Sequence, residues 1–379
     1  MTTVVPPSGA STPAQPAGAT IGVEEEYHVV DGETLALRDS AELSAAAMQG
    51  RMGPRIQAEI STAQLETATP VCHSAGELRS QLAVARRQAA AAAATVGGAL
   101  LVASTHPSAT WEQQRLTARP RYIELFEKWG VLALQQLITG CHVHVAVPSL
   151  DTAVAVMDRA RPYLPTVLAM TGSSPFFEGT DTGYDSYRTQ WFARWPITGP
   201  TEPLGSGDEY LRLVEDMRRT GVIGDSSYLY WDVRPSARYP TLEFRVGDVC
   251  TEIDDVVLHA TLLRSLTRVL AAQADRGVAP ADVRAELLRA ARWRAARYGL
   301  SDALFDPVAG ELVPAAAAVD RLLAFLRPDL EDAGEWDEAA ALAAQLLTRG
   351  TSAHRQRSVL QRTGDLRAVA ASVVLAPDG

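Results

Sequence analysis

The chain has 379 residues, 47% of them hydrophobic, and its 45 Asp and Glu outnumber 35 Lys and Arg for a formal net charge of −10. That balance excludes a broadly basic nucleic-acid surface. With no uninterrupted apolar run of membrane-spanning length, it also points away from a membrane protein. Three widely spaced cysteines, Cys72, Cys141 and Cys250, form no C-x-x-C pair and no disulfide framework, which fits a reducing cytoplasm.

Residues 1–19 are rich in Pro, Ala, Ser, Thr and Gly and lack the basic start and apolar centre of a signal peptide, so a disordered tail is expected. "IGVEEEYHVV" then reads as a strand, and residues 56–67 as extended. Ser74 to Gly97 is a long amphipathic helix with Glu77 in its first turn. The Ala-rich run from Ala90 to Ala103 is a buried helix leading into the strand "LLVAST". A helix over 121–137 leads to the strand "GCHVHVAVP" (140–148), and a further helix covers 151–170. Residues 173–207 are irregular and rich in aromatics, a length that signals function rather than a simple connection. Two strands, 228–235 and 241–248, pair across the turn "SARYP", and everything from Ile253 is helical. The expected fold class is α+β, with an antiparallel sheet carrying packed helices in one domain over 20–379.

Side chains alternate across a strand. On the first strand Glu24, Glu26 and His28 share one face, and Val23, Glu25, Tyr27 and Val29 the other. Like charges two residues apart on one face repel, so something positive should offset them. Later strands repeat the division. His142 and His144 oppose Val143, Val145 and Val147; Glu243 and Arg245 oppose Leu242, Phe244 and Val246; Tyr230, Asp232 and Arg234 oppose Leu229, Trp231 and Val233. Taken singly, two glutamates read as a solvated face, H-x-H as a zinc pair or plain surface, and E-x-R as an ion pair. Set side by side, Glu24, Glu26, Glu243, His142 and Glu59 or Glu66 converge into an oxygen-rich cage with one imidazole. Such a cage suits Mg²⁺ or Mn²⁺ better than Zn²⁺. Glu59 and Glu66 lie seven apart, so alternation alone puts them on opposite faces. Both reach one site only if the strand breaks between them, at Ser61, Thr62 and Ala63. Glu25, on the apolar face, needs a partner from a backing helix or a subunit contact.

Five stretches stand in order from Gly22 to Leu300: "GVEEEY", "GCHVHV", "SSPFFEGTDTGYDSYR", "WDVRP…TLEFRVGD" and "WRAARYGL". With "HRQR" at 354–357, they resemble the glutamate–cysteine ligase type 2, or carboxylate–amine ligase, family. The resemblance implies a glutamine synthetase-like fold: a curved, largely antiparallel sheet in a half-barrel or funnel, backed by helices, with ATP and Mg²⁺ or Mn²⁺ on its concave face. It implies an ATP-dependent ligase that joins a small-molecule carboxylate to an amine through an acyl phosphate. By motif position, Glu24, Glu26, Glu59, Glu66, His142 and Glu243 would hold metal. Arg245, Arg294 and Arg297 would serve the transferred phosphoryl group. Arg188, Arg234, His144, Tyr298 and Arg357 would bind substrate or nucleotide, and His28 would be peripheral. Ser236, Pro240 and His354 depart from the family pattern, which leaves open which acid and which amine are joined. Two other readings stand beside this one: a phosphotransferase of the same fold acting on guanidino or amine groups, and a nucleotide-binding regulator. A homodimer is the default expectation for assembly.

Overall fold

The computed structural model describes residues 16–53 and 55–375. The expected disordered tail lies outside these residues up to position 15. Residues 16–19 belong to the folded body, since the Gly18 amide donates to the Ala146 carbonyl at 2.8 Å. Seven strands make the main sheet: β1 (Ile21–Asp31), β2 (Ile56–Ala58), β3 (Gln64–Ala68), β4 (Gly98–Leu101), β5 (Gly140–Ala146), β6 (Val233–Pro235) and β7 (Thr241–Asp248). Their order is β6–β7–β5–β1–β3–β2, and every neighbouring pair is antiparallel. β4 joins β1 at His28–Asp31, where His28 also pairs with Gln64 of β3. β4 therefore continues the edge of β1 that β5 leaves. The sheet is open and does not close on itself.

One face of this sheet is apolar because alternation delivers Val23, Tyr27, Val143, Val145, Leu242 and Phe244 to the same side, all buried. Two helices lie against it. The first, α1 (Ala75–Ala94), starts where the Ser74 hydroxyl accepts from the Glu77 amide at 3.1 Å. It buries Leu78, Leu82, Ala85, Ala89 and Ala93, a stripe at helical spacing. The second, the helix Ile253–Asp275, is buried nearly all round from Asp255 to Thr267 and fills the centre of the core. Burial of each such leucine is worth about 2 kcal/mol. Near the end of β7 the pairing slips between Phe244 and Gly247. A Cβ on Gly247 would meet His259 Nε2 at 2.9 Å, so the glycine lets that helix approach the sheet.

Several expected elements are subdivided. Residues 56–67 are two strands, because the chain reverses between β2 and β3 with Gln57 opposite Glu66. The 121–137 helix breaks at Gly130, which sits at φ 59°. The 151–170 helix is two, Leu150–Ala160 and Leu164–Thr171, with Ser149 as its N-cap and Pro165 opening the second. The 173–207 stretch contains the short helix α2 (Tyr187–Phe192), followed later in the chain by α3 (Ala285–Tyr298) and α4 (Ser352–Thr363).

A candidate active site on the polar face of the sheet

Register settles which polar side chains meet. Glu26 stands opposite Glu66, Glu24 opposite His142, and His144 opposite Glu243, which in turn faces Arg234. Residues directly opposite one another share a face, so the strands deliver one continuous polar ladder. This ladder floors a cavity also lined by Glu59, Arg188 and Arg245. All six expected metal ligands and four of the eight other expected residues therefore line one space.

Glu59 and Glu66 reach the same cavity because the chain reverses between them. Ser61 forms the turn, its carbonyl accepting from the Gln64 amide at 3.1 Å and its hydroxyl from the Ala63 amide at 3.0 Å. Glu25 points to the opposite side, fully buried, and has the partner that alternation requires. Arg86 of α1 donates Nε to its Oε2 at 3.0 Å and Nη2 to its Oε1 at 2.5 Å, and the Tyr27 hydroxyl donates at 2.9 Å. His28 is also fully buried and lies outside the cavity lining.

The carboxylates crowd. Burial, then the Glu59 charge, pushes Glu26 up to about 8. Burial with the charges of Glu24, Glu59 and Glu26 drives Glu66 well above the usual range, and burial raises Glu59. Glu24 stays below the carboxylate range: burial opposes its charge, but hydrogen bonds from His142 and His144 outweigh it. Burial, then Arg245, lowers His142 to about 4, which leaves its imidazole neutral near pH 7. Its Nε2 is buried without a hydrogen-bond partner and lies 3.6 Å from Glu26 Oε1. Two overlapping groups, Glu24–His142–Glu243 and Glu26–Glu66–His142, each offer ligand atoms within 4.8 Å of one another. Two carboxylates beside a neutral imidazole in each group suit a hard divalent cation, which would replace the protons that the crowding otherwise retains. Glu59 lines the cavity but stands outside both groups.

Arginines line the same cavity. Glu243 pairs with Arg245 and receives Arg234 in a forked pair at 2.9 and 3.1 Å. These two cations hold the Glu243 carboxyl well below its usual range although burial opposes them. Arg234 also donates to the carbonyls of Ser227 and Leu229 at 2.8 and 2.7 Å. Most of its donors are thus committed to holding Glu243 and the adjoining loop. Arg188 differs. It is 3% exposed, stacks on Phe192 with its Cζ 5.1 Å from the ring centre, and makes no ion pair among the described residues. Its Nε has no partner. A buried guanidinium with no directly paired carboxylate, which feels the charges of Asp248 and Glu26 only across a gap, is on the wall of a cavity a place for an anion.

Four expected site residues lie elsewhere. On α3, Arg294 donates to the Ala303 carbonyl at 2.6 Å and pairs with Asp302 at 3.1 Å. Arg297 lies over the rings of Tyr184 and Tyr298. Arg357 of α4 pairs with Asp185 at 2.6 Å and Asp181 at 3.0 Å and donates to the Tyr184 carbonyl at 2.7 Å. None of these, nor Tyr298, lines the cavity. The arginine-rich face of α3 is turned to the 181–185 loop and to Asp302, and Arg357 staples that same loop. The cavity lining also holds residues that alternation did not single out: Arg119, Arg121, Tyr122 and Tyr239. Tyr230, read only as opposing an apolar strand face, joins them. Arg121 contacts Ser227, with Nη1 2.7 Å from the hydroxyl, and lies over Tyr228.

Comparison with known proteins bears on the chain's family and fold. A family model described as glutamate–cysteine ligase family 2 (GCS2) matches residues 20–372. A Frankia alni protein named "Putative glutamate–cysteine ligase 2-2" is 43% identical over 359 residues, covering 91% of this chain and 93% of its own length. A Rhodopirellula baltica protein named "Putative glutamate–cysteine ligase 2" is 36% identical over 360 residues, covering 94% of this chain and 96% of its own. In fold, the chain is similar to a glutamate–cysteine ligase (gshA) of Francisella tularensis solved in complex with AMP. The TM-score is 0.66 at 13% identity, over 93% of this chain and 87% of that one. A bifunctional glutathione synthetase of Pasteurella multocida gives the same TM-score of 0.66 at 16% identity over 93% of this chain. The chain spans about half of that protein, 51% of its length.

Proposed function

The chain belongs to glutamate–cysteine ligase family 2, a family of ATP-dependent ligases that form carbon–nitrogen bonds, and on that premise we propose that its cavity joins a small-molecule carboxylate to an amine through an acyl phosphate. One observation carries the reading: the carboxylates Glu24, Glu26, Glu59 and Glu66 and the guanidiniums Arg188, Arg234 and Arg245 line a single cavity. Amide formation at the expense of ATP brings a carboxylate against a triphosphate, two anions that repel. Both sets of side chains answer that problem. Glu24, Glu26, Glu66, His142 and Glu243 would hold Mg²⁺ or Mn²⁺, which when bound supplies positive charge to the phosphate oxygens. Arg188, which makes no direct ion pair among the described residues, binds phosphoryl oxygens directly, and Arg245 is aimed beside it by Glu243.

In the proposed reaction a substrate carboxylate oxygen attacks the γ-phosphorus and ADP leaves. The amine nitrogen then attacks the acyl carbon, phosphate leaves with the former carboxylate oxygen, and the amine gives up a proton. Arg188 and Arg245 stay in place through both steps and stabilise charge on the transferring group, an electrostatic effect worth about 3 kcal/mol per well-aimed donor. The test is a phosphate-release screen of carboxylates against amines with Mg²⁺ or Mn²⁺. ADP and phosphate should form only when acid and amine are both present. A stable phosphorylated product without free phosphate, or nucleotide binding without turnover across the panel, overturns the reading.

A further inference from the structure

Asp248 ends β7, is fully buried, and lies outside the cavity lining. A carboxylate sealed from water must have donors around it. Its Oδ2 accepts from the Ser173 amide at 3.0 Å and the Ser174 hydroxyl at 2.7 Å; its Oδ1 accepts from the Ser186 hydroxyl at 2.7 Å. All three donors come from the two ends of one loop. With its own proton committed to Asp248, the Ser174 oxygen accepts from the backbone amide of Arg188 at 3.0 Å. Ser186 is the N-cap residue of α2, and its hydroxyl also contacts that of Thr189 at 2.7 Å. Asp248 thus gathers both feet of the 173–186 loop and fixes the first turn of the helix that carries Arg188.

The strand opposite completes the device. Asp248 pairs with Gly140, the first residue of β5. The Gly140 amide donates to Glu26 Oε2 at 2.7 Å. An ideal Cβ on Gly140 would meet the Arg188 guanidinium carbon at 2.9 Å, so the guanidinium lies directly over the bare glycine. Its Nη2 donates to the Arg245 carbonyl at 3.3 Å. The backbone of Arg188 is set from one side by Asp248 through Ser174, and its head is seated from the other by Gly140.

We propose that Asp248 is a positioning residue, which holds the unpaired Arg188 guanidinium at the anion-binding wall of the cavity through Ser174 and Ser186. The inference rests on the ligase reading for what Arg188 binds, but the placement itself is independent of it. Asp248→Asn keeps volume and one acceptor oxygen while removing the charge and one acceptor; Ser174→Ala removes the hydroxyl that bridges Asp248 and the Arg188 amide and leaves the Ser173 and Ser186 donors to Asp248 in place. Crystal structures of both variants test the placement whatever the enzyme turns over. The Arg188 guanidinium should leave Gly140 in each while β7 keeps its register. An unmoved Arg188 in both overturns the inference.

Turnover supplies the second arm, once an acid and amine pair is found. Asp248→Asn should lower kcat by about tenfold or more with KM for the amine unchanged, since a displaced phosphoryl donor is felt in the transition state. Combined with Arg188→Ala it should be no worse than Arg188→Ala alone, within about twofold, because both remove one unit. Losses that multiply show that Asp248 acts apart from Arg188 and refute the coupling. A failed screen would count against the ligase reading only, and the crystallographic result would still decide the placement.

Discussion

Arg86→Met breaks the pair that lets β1 carry three consecutive glutamates. In the native chain Glu25 is fully buried and receives two charge-assisted bonds from Arg86, which also donates to the carbonyls of Thr251 and Cys250, each at 2.7 Å. Methionine fills most of the volume but leaves Glu25 with only the Tyr27 hydroxyl, and leaves both carbonyls short of a donor. Removing one partner of a buried ion pair costs about 3–5 kcal/mol, and each lost carbonyl bond adds about 1 kcal/mol. The expected loss of about 5–7 kcal/mol approaches the whole stability margin of many domains, about 5–15 kcal/mol. Urea denaturation at constant m reads it as a fall in midpoint. The double variant Glu25→Met with Arg86→Met removes both charges and should recover at least about 2 kcal/mol of that loss. An Arg86→Met cost below about 1 kcal/mol, or a double variant no more stable than the single one, would refute the argument that this pair licenses the strand.

Three further outcomes are expected. Without a divalent cation, Glu26 holds its proton up to about pH 8 in the folded chain against 4.5 as a free carboxyl. The stability this contributes is whole below pH 4.5 and is lost as pH rises through 8. Mg²⁺ or Mn²⁺ must displace that proton, so calorimetric affinity should rise between pH 6.5 and 8.5 with proton release; a flat profile contradicts it. Gly140→Ala, at a backbone position that tolerates a side chain, should push the Arg188 guanidinium aside. Turnover should fall by about tenfold or more with an unchanged urea midpoint, and full activity would show that the seat is not needed. Arg357→Ala frees the loop tied through Asp181, Asp185 and the Tyr184 carbonyl. Limited proteolysis within residues 178–184 should quicken by about tenfold at unaltered metal affinity; a changed metal affinity instead would return Arg357 to the site.

The polar ladder was legible because period-two alternation is a strong signal where one face is buried. Glu24, Glu26, His142, Glu243 and Arg245 each alternate with core residues, so faces could be assigned without knowing strand order. Glu59 and Glu66 were harder, since a three-residue strand is too short to show a period; their spacing still located the break that the turn at Ser61 supplies. The placement of Arg294 and Arg297 outside the cavity lining was not legible, for the opposite reason. A helix face with an arginine every three or four residues looks the same whether it meets a cavity or a loop, and only packing shows that α3 turns them to Tyr184 and Asp302. Arg121 had no local signal: it lies in the first turn of an ordinary amphipathic helix, and its neighbour Ser227 is 106 residues away. Asp248 was in plain view within "TLEFRVGD", yet its role depends on serines more than sixty residues upstream, which no periodicity connects to it.

The two sets of charges that line the cavity have a further consequence in time. Glu24, Glu26, Glu59, Glu66 and His142 all precede Arg188, Arg234 and Arg245 in the chain. A ribosome therefore completes β1 and β3 with their carboxylates, and then β5, before Arg188, Arg234 or Arg245 exists. Until then only Arg119 and Arg121 among the cavity's arginines stand beside protons and free cations to quiet that repulsion. The strand that brings Arg245 and Glu243 pairs with β5 about a hundred residues away, a slow, non-local closure. A divalent cation held by these carboxylates would then favour the compact chain by mass action before there is a substrate to bind.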